Sequence, residues 1–219
     1  MALPVFSPTS APTVDVETLS RAAAAARLEV HAAHVNKMVA AGMLPLPITT
    51  ASIEPLRGRP RLQVTAGELT VLRTGARRAV DPGEFPGDAR RWIGFHVDHT
   101  DAELDETCLR WWRSDPDRIV GNELLAVCVG NFPVAVYRVT GVADTVTRQD
   151  EDAPRHHYNG TLLARVTRGM VATRREQLPG HLRRLTDQIM GSRIAVESGG
   201  PIGYLEPAAA HQHRGGGAR

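Results

Sequence analysis

Cysteine is scarce in this 219-residue chain: Cys108 and Cys128 are the only two, too few for a disulfide framework and too far apart for a CxxC metal or redox motif. Aromatic residues make up only 5%, and lysine is reduced to Lys37 against 25 arginines. No apolar run approaches the roughly 18 residues a membrane span needs, so no membrane partner is expected. The start, MALPVFSPTSAPT, has no charged segment leading into an apolar one, so no export signal is expected and a cytoplasmic, nucleoid-associated setting is. GxSxG, glycine-rich phosphate loops and Cys–His nucleophile spacings are all missing, which removes the common hydrolase and nucleotide-binding motifs. What is present in quantity is apolar: 42% of the chain is hydrophobic, enough to bury a core and to exclude a wholly disordered protein.

The formal charge of +2 hides an uneven distribution. Residues 1–80 carry a net +4, residues 81–152 a net −8 and residues 153–219 a net +6. That order suits an oriented polyanion contact better than a uniform charged coat. The excess of arginine fits either phosphate recognition or the codon bias of a GC-rich genome.

The patterning predicts an α+β chain in five parts. Residues 1–14, with Pro4, Pro8 and Pro12, read as a disordered arm, and 15–73 as a small helical domain. Within it Val16 to Leu44 is helix-prone: a first helix through Ala22–Ala26 and Leu28, a tight turn, a second helix from His31 to Ala41, and Gly42 as the stop. Thr49 to Leu56 adds a helical turn, and Leu62 to Arg73 alternates around Gly67 as a β-hairpin does. Residues 74–91 form a basic loop or linker. Residues 92–205 read as strands with two or more helices, and 206–219 as a disordered tail. In that second domain Trp92 to Val97 is an aromatic strand. Thr100 and Glu103 make a capping box for a helix carrying Leu104, Cys108, Trp111 and Trp112, which Ser114, Asp115 and Pro116 stop. Gly130-Asn131 is a two-residue turn between apolar strands, placing Val127 opposite Val134 and Leu125 opposite Val136. Ala143 to Arg155 reads as an acidic loop and Thr161 to Val166 as a strand. Leu178, Leu182, Leu185 and Ile189 form a helical stripe ended by Gly191.

The most specific motif is ARLEVHAAHVNKMVAAGMLP, residues 26–45. Val35, Met38 and Val39 have the spacing of a buried face, which leaves His31, Ala32, His34, Asn36 and Lys37 opposite. Small residues let a helix approach a DNA groove, and His, Asn and Lys supply donors for base edges and phosphates. The run Ala24, Ala25, Leu28, Val30, Val35, Val39, Gly42, Leu44, Pro45 resembles the excisionase-type and MerR-type helix-turn-helix, with Glu29 where such turns usually carry Gly. The resemblance implies a DNA-binding domain, winged or wingless; Arg57, Arg59 and Arg61 would then meet phosphate on or before the wing, and Arg77 and Arg78 would extend that basic surface. An ordinary αα-hairpin is the other reading of the same residues.

From residue 90 to 195 the order of elements, with RWWRSDPDRIVGNELLAV and YNGTLLARV, resembles the PUA-like superfamily, nearest to its EVE and SRA branches. That resemblance implies a mixed β-barrel that recognises a modified base, 5-methylcytosine being the base it suggests. A flipped base needs aromatic walls and polar edge readers. Trp92, Phe95, Trp111, Trp112, Phe132, Tyr137 and Tyr158 are the candidate walls, with Asp115, Asp117, Asn122 and Asn159 as edge readers; burial in a core is the competing role for each aromatic.

Two histidine clusters invite an enzymatic reading as a metal-dependent nuclease. His96, Asp98 and His99 lack a fourth ligand, and His156-His157-Tyr158-Asn159-Gly160 resembles part of a His-Asn nuclease motif without its paired cysteines. No catalytic residue, cofactor or metal is therefore expected. The expected partner is double-stranded DNA, modified or not, bound by a homo-oligomer, because one short recognition helix touches few base pairs. The alternative is a helix-turn-helix transcription regulator whose second domain senses a small molecule or a protein.

Overall fold

Alanine has the highest helix propensity, and the run Ala22–Ala26 favours the first helix locally. In the computed structural model, which describes residues 17–81, 88–148, 151–197 and 200–207, strand β1 (Thr18–Leu19) leads into α1 (Arg21–Leu28). Ser20 caps it, its hydroxyl accepting the Ala23 N–H at 3.1 Å. Glu29 ends it in the left-handed region at φ 54°, and its own N–H is taken by the last carbonyls of α1. Helix α2 (Ala32–Ala40) follows, with the His31 ring accepting the Ala33 N–H at 3.2 Å. Gly42, at φ 73°, turns the chain out of it. Strand β2 (Ile48–Thr49) returns to pair with β1, and α3 (Thr50–Ile53) is a single turn with a reciprocal Thr49–Ser52 cap.

The sheet begins with β3 (Leu69–Thr74). Two short strands, β4 (Arg78–Ala79) and β5 (Trp92–Ile93), pair with each other, and α4 (Asp101–Cys108) and α5 (Pro116–Asn122) follow. Then come β6 (Leu124–Val129), β7 (Phe132–Val146), β8 (Arg155–Val166), a 3₁₀ turn (Arg168–Met170), β9 (Ala172–Arg174), α6 (Gly180–Met190) and β10 (Ile202–Leu205). The strand order is β10-β3-β6-β7-β8-β9, with β3 and β6 parallel and the other pairs antiparallel. Among the described residues the architecture is a mixed α/β one of six helices and a six-stranded mixed sheet. In β3, β6 and the first half of β7 successive residues are buried on both faces, as in a sheet covered on both sides.

The expected barrel does not close: among the described residues β9 and β10 remain the two edges of an open sheet. After β9 the chain enters α6, whose Leu182, Thr186, Ile189 and Met190 are buried, with the helix packing on β7 and β8. It then returns to the far side of the sheet beside β3. The buried stripe of α6 keeps Leu182 and Ile189 as expected, but Thr186 is fully buried in place of Leu185, which is 44% exposed.

Other local expectations are corrected in the same way. Residues 62–68 form no strand, so there is no hairpin around Gly67; Leu69, Thr70, Val71 and Leu72, buried in succession, instead make a doubly buried strand. Only Trp92–Ile93 of the aromatic segment is strand, since Gly94 turns at φ 87° with its Cα against the Ala76 carbonyl. Helix α4 ends at Cys108, ahead of both tryptophans. Asp115 and Pro116 do not merely stop a helix: Asp115 caps α5 by accepting the Arg118 N–H, and Pro116 takes its first position. The Gly130-Asn131 turn is present, both residues at positive φ, and it pairs Val129 with Phe132. A bulge between Val127 and Cys128 then shifts the register by one, giving Val127–Ala135 and Leu125–Tyr137. Strands β7 and β8 run further than expected, leaving only 147–154 as a loop, of which 149–150 lie outside the described residues. The arm, most of the tail and 82–87 of the basic segment also lie outside them.

Helices and sheet share one continuous buried cluster that includes Leu28, Val35, Met38, Val71, Val127 and Val134. Polar ties reinforce it. Val97 N–H donates to the Ala41 carbonyl at 3.0 Å, Arg193 donates to the Leu28 carbonyl at 3.0 Å, and Arg59 donates to the Met190 carbonyl at 2.8 Å. None of the helices, among the described residues, is long and apolar enough to cross a membrane.

Candidate nucleic-acid interface and a polar cavity

Side chains on α2 advance by about 100° per residue, which sorts them into two arcs. Val35 and Met38 are fully buried, with Ala32 and Val39 half-buried beside them. Ala33, Asn36, Lys37 and Ala40 are exposed and fall on one arc of roughly a quarter turn, with His31 exposed at the helix start. This differs from the sequence pattern at two places. Ala32 belongs to the inner side, and His34 sits half-buried at the flank facing the sheet, where Gly130 meets it so closely that a Cβ there would lie 2.8 Å from the His34 Cβ. The His34 Nδ1 is buried without a hydrogen-bond partner, and burial followed by the Lys37 charge holds its pKa below the ordinary histidine value. The exposed arc combines two small residues with an amide and an ammonium.

The arginines divide. Arg57 is exposed and pairs with Glu54 at 3.2 Å, Arg61 is exposed, and Arg78 is exposed on β4. Arg59 is half-buried, spending its donors on the Pro55 and Met190 carbonyls at 2.8 Å each, so it ties α3 to α6 and is not presented as a phosphate contact. Arg77 lies over the Trp92 ring at 4.7 Å with Arg91 also against that ring at 4.9 Å, and the Trp92 indole N–H donates to Glu103 at 3.2 Å. Both guanidiniums occupy the ring that had been expected to stack on a base.

The remaining aromatics do not assemble into one pocket. Phe95, Phe132 and Tyr137 are 0% exposed and Tyr158 is 1% exposed, so all four are core side chains without a free face. Tyr158 bonds Ser114 at 2.8 Å. Trp112 is half-buried, donating its indole N–H to the Cys108 carbonyl at 2.7 Å while its backbone pairs with His156. Trp111, also half-buried, meets His157 edge-on with centroids 5.5 Å apart. Asp115 is engaged as a cap, Asp117 is exposed in the first turn of α5, Asn122 bonds Glu68 and Thr70, and Asn159 is exposed on β8.

The histidine clusters are likewise apart. His96 packs near Gly42 with its ring 3.6 Å from Asp98, which also pairs with Arg168, while His99 is buried and 6.5 Å from His96 between ring centroids. Among the described residues no group of three His, Cys, Asp or Glu side chains is placed to hold a metal ion.

A site that no sequence signal marked lies between α4, β8 and β9. It is a cavity of ≈ 410 Å³ walled by the β8 segment 160–165 together with Asp101, Asp105, Arg174 and Arg175. Arg165 donates to Asp101 at 2.8 Å and to the Val97 carbonyl at 3.0 Å. Asp105 Oδ1 and the Tyr137 hydroxyl are buried beside each other. Burial raises the Asp105 pKa, against a lowering by Tyr137. Among the described residues no aromatic side chain lines this cavity. It offers a carboxyl acceptor, guanidinium donors and a strand edge, which suits a small polar ligand carrying both donors and acceptors.

The chain matches no family model, no curated protein and no solved structure, so the site geometry alone carries the functional argument.

Proposed function

We propose that this protein binds double-stranded DNA through α2, the second helix of a helix-turn-helix. The observation that carries the reading is the two-sided α2: Val35 and Met38 fully buried, and Ala33, Asn36, Lys37 and Ala40 together on the exposed arc. Supporting it, the left-handed Glu29 supplies the tight turn between α1 and α2 that such a unit needs. A nine-residue helix reads few base pairs, so the chain acts as a homo-oligomer on paired half-sites. The test is a fluorescence-anisotropy titration of a labelled mixed-sequence duplex at two salt concentrations. Asn36→Ala and Lys37→Ala weaken binding, and Lys37→Ala lowers the slope of log K against log salt by about one if it meets a phosphate. Unchanged affinity in both variants removes the assignment.

The sheet unit then receives a second ligand. The cavity beside Asp105 favours a small polar molecule that biases how α2 meets DNA, which makes the protein a ligand-responsive regulator. A thermal-shift screen with polar metabolites reads this directly, since a ligand of the native state raises the melting temperature with its concentration. Recognition of 5-methylcytosine is the other reading of this unit, supported by half-buried Trp111, edge-on to His157 two residues before exposed Asn159 on β8. Under it a fully methylated duplex binds more tightly than its unmethylated twin at matched salt.

A further inference from the structure

We propose that the cleft between α2 and the sheet is a phosphate site, through which the sheet unit grips the backbone of the duplex that α2 engages; this rests on the reading of α2 as a DNA-contacting helix. The cleft has a volume of ≈ 390 Å³. Its walls include His34 and Lys37 from α2, Arg73 and Thr74 from the end of β3, and Gly130 and Asn131 from the β6–β7 turn. Among the described residues they bring two permanent cations, a hydroxyl and an amide, and no carboxylate, a donor set that suits phosphate oxygens; one guanidinium nitrogen of Arg73 also donates to the Gly200 carbonyl in the same wall. The elements are far apart in sequence, and the fold holds them together: β3 runs parallel to β6, so Thr74 pairs with Val129 just before the turn.

Two features tie the cleft to α2. Lys37 belongs both to the exposed arc of the helix and to the wall of the cleft, so the phosphate line bordering a groove that receives α2 runs past it. The close approach of Gly130 to His34 presses the turn onto the helix and fixes the width of the cleft. Around His34 the charged and titratable neighbours are His31 and Lys37 on its own helix and Arg73 across the cleft, all cationic or neutral.

The same chemistry would take a phosphodiester of the duplex or a free phosphorylated compound, and two arms separate them. In the first, a labelled mixed-sequence duplex is titrated with wild type, Arg73→Gln, Asn131→Asp and Asn36→Ala across a salt series. Asn131→Asp is isosteric, tolerates the φ of 74° at that turn, and puts a negative charge into the cleft. In the second arm, inorganic pyrophosphate is titrated calorimetrically into the same proteins. Melting temperatures within a few degrees of wild type show that each variant folds.

The expected result is that Arg73→Gln weakens every duplex by a similar factor and lowers the salt slope by about one, and that Asn131→Asp weakens binding further without changing the preferred sequence. If Asn36→Ala loses affinity while both cleft variants match wild type, the cleft proposal is overturned and the reading of α2 survives. If wild type binds no duplex yet binds pyrophosphate in a way that both cleft variants abolish, the reading of α2 fails, and the phosphate belongs to a small molecule. Absence of binding to either probe overturns both.

Discussion

Two alanine substitutions at glycine should move stability in opposite directions. Gly130 lies at φ 56°, and a Cβ there would sit 2.8 Å from the His34 Cβ and 3.4 Å from its Cα. Ordinary carbon contacts are about 3.5–4.0 Å, so either α2 or the β6–β7 turn must shift. Holding an alanine in the left-handed region costs about 1–2 kcal/mol. Overpacking adds about 1–3 kcal/mol, while the stiffer unfolded chain returns about 0.4–1 kcal/mol. The sum is a destabilisation of about 1–5 kcal/mol. For a chain of this size each kcal/mol moves the melting temperature by about 2–4 °C, so Gly130→Ala should melt roughly 2–18 °C lower. Gly121 lies inside α5, its φ is not positive, and no described atom lies within 4 Å of its Cβ position. There alanine improves helix propensity by about 0.5–1 kcal/mol, and the melting temperature should rise by a few degrees. Thermal unfolding followed by circular dichroism, checked by urea midpoints, decides the matter. If Gly130→Ala melted within 1 °C of wild type, the seating of α2 on the turn described above would be refuted. In a Gly130→Ala background, His34→Gly should recover part of the loss and His34→Ala should not, because alanine retains the colliding Cβ.

Three further expectations can be checked with the same unfolding assays. His99 is buried with its pKa pushed down to about 4, mainly by burial, so the folded state holds it neutral while the unfolded chain takes up a proton below about 6.5; its contribution is complete above that pH and fades toward 4. From those values wild type should lose about 2 kcal/mol between pH 7.5 and pH 5 that His99→Phe does not lose; equal losses in the two proteins would sink this account. Asp105 has its pKa raised by burial, so its protonated form is the one the fold favours and its stabilisation disappears as pH rises. Asp105→Asn should therefore melt above wild type at pH 7.5, with the difference vanishing near pH 4, and a lower melting temperature at pH 7.5 would count against it. Thr100 closes the capping box of α4 with Glu103, and Thr100→Ala should cost about 1 kcal/mol in the urea midpoint, with no loss if the box contributes nothing.

What the sequence shows well is whatever is decided within a few residues. The spacing of Val35 and Met38, the stop at Gly42, the Thr100–Glu103 cap and the Gly130-Asn131 turn are all local, and each is present in the structure. What it hides is decided across distance. The parallel pairing of β3 with β6 has no local signature, and the segment Leu69–Leu72 fits a hairpin arm or a central strand equally well until its neighbours are known. Asp115-Pro116 carries two meanings, an ending and a beginning, and only the helical dihedrals beyond it choose between them. The aromatic residues were scarce enough to suggest a shared site, yet Phe95, Phe132, Tyr137 and Tyr158 fill the core, because bulk is what the two-sided sheet needs. The cavity beside Asp105 had no motif to announce it, since its walls come from α4, β8 and β9 and its distinguishing mark is a buried carboxyl beside a buried phenol.

The place of β3 in the sheet also governs how this chain can be made. Its two neighbours, β6 and β10, both emerge from the ribosome after it, the second only near the far end of the described chain. Once β6 has paired, the buried strand β3 keeps one open edge until β10 is made, and such edges recruit other chains. Pairings this distant also slow folding. A chain truncated before Ile202 would therefore present the β10-facing edge of β3 unpaired and prone to aggregate during synthesis, whereas a chain that includes Ile202–Leu205 covers that edge.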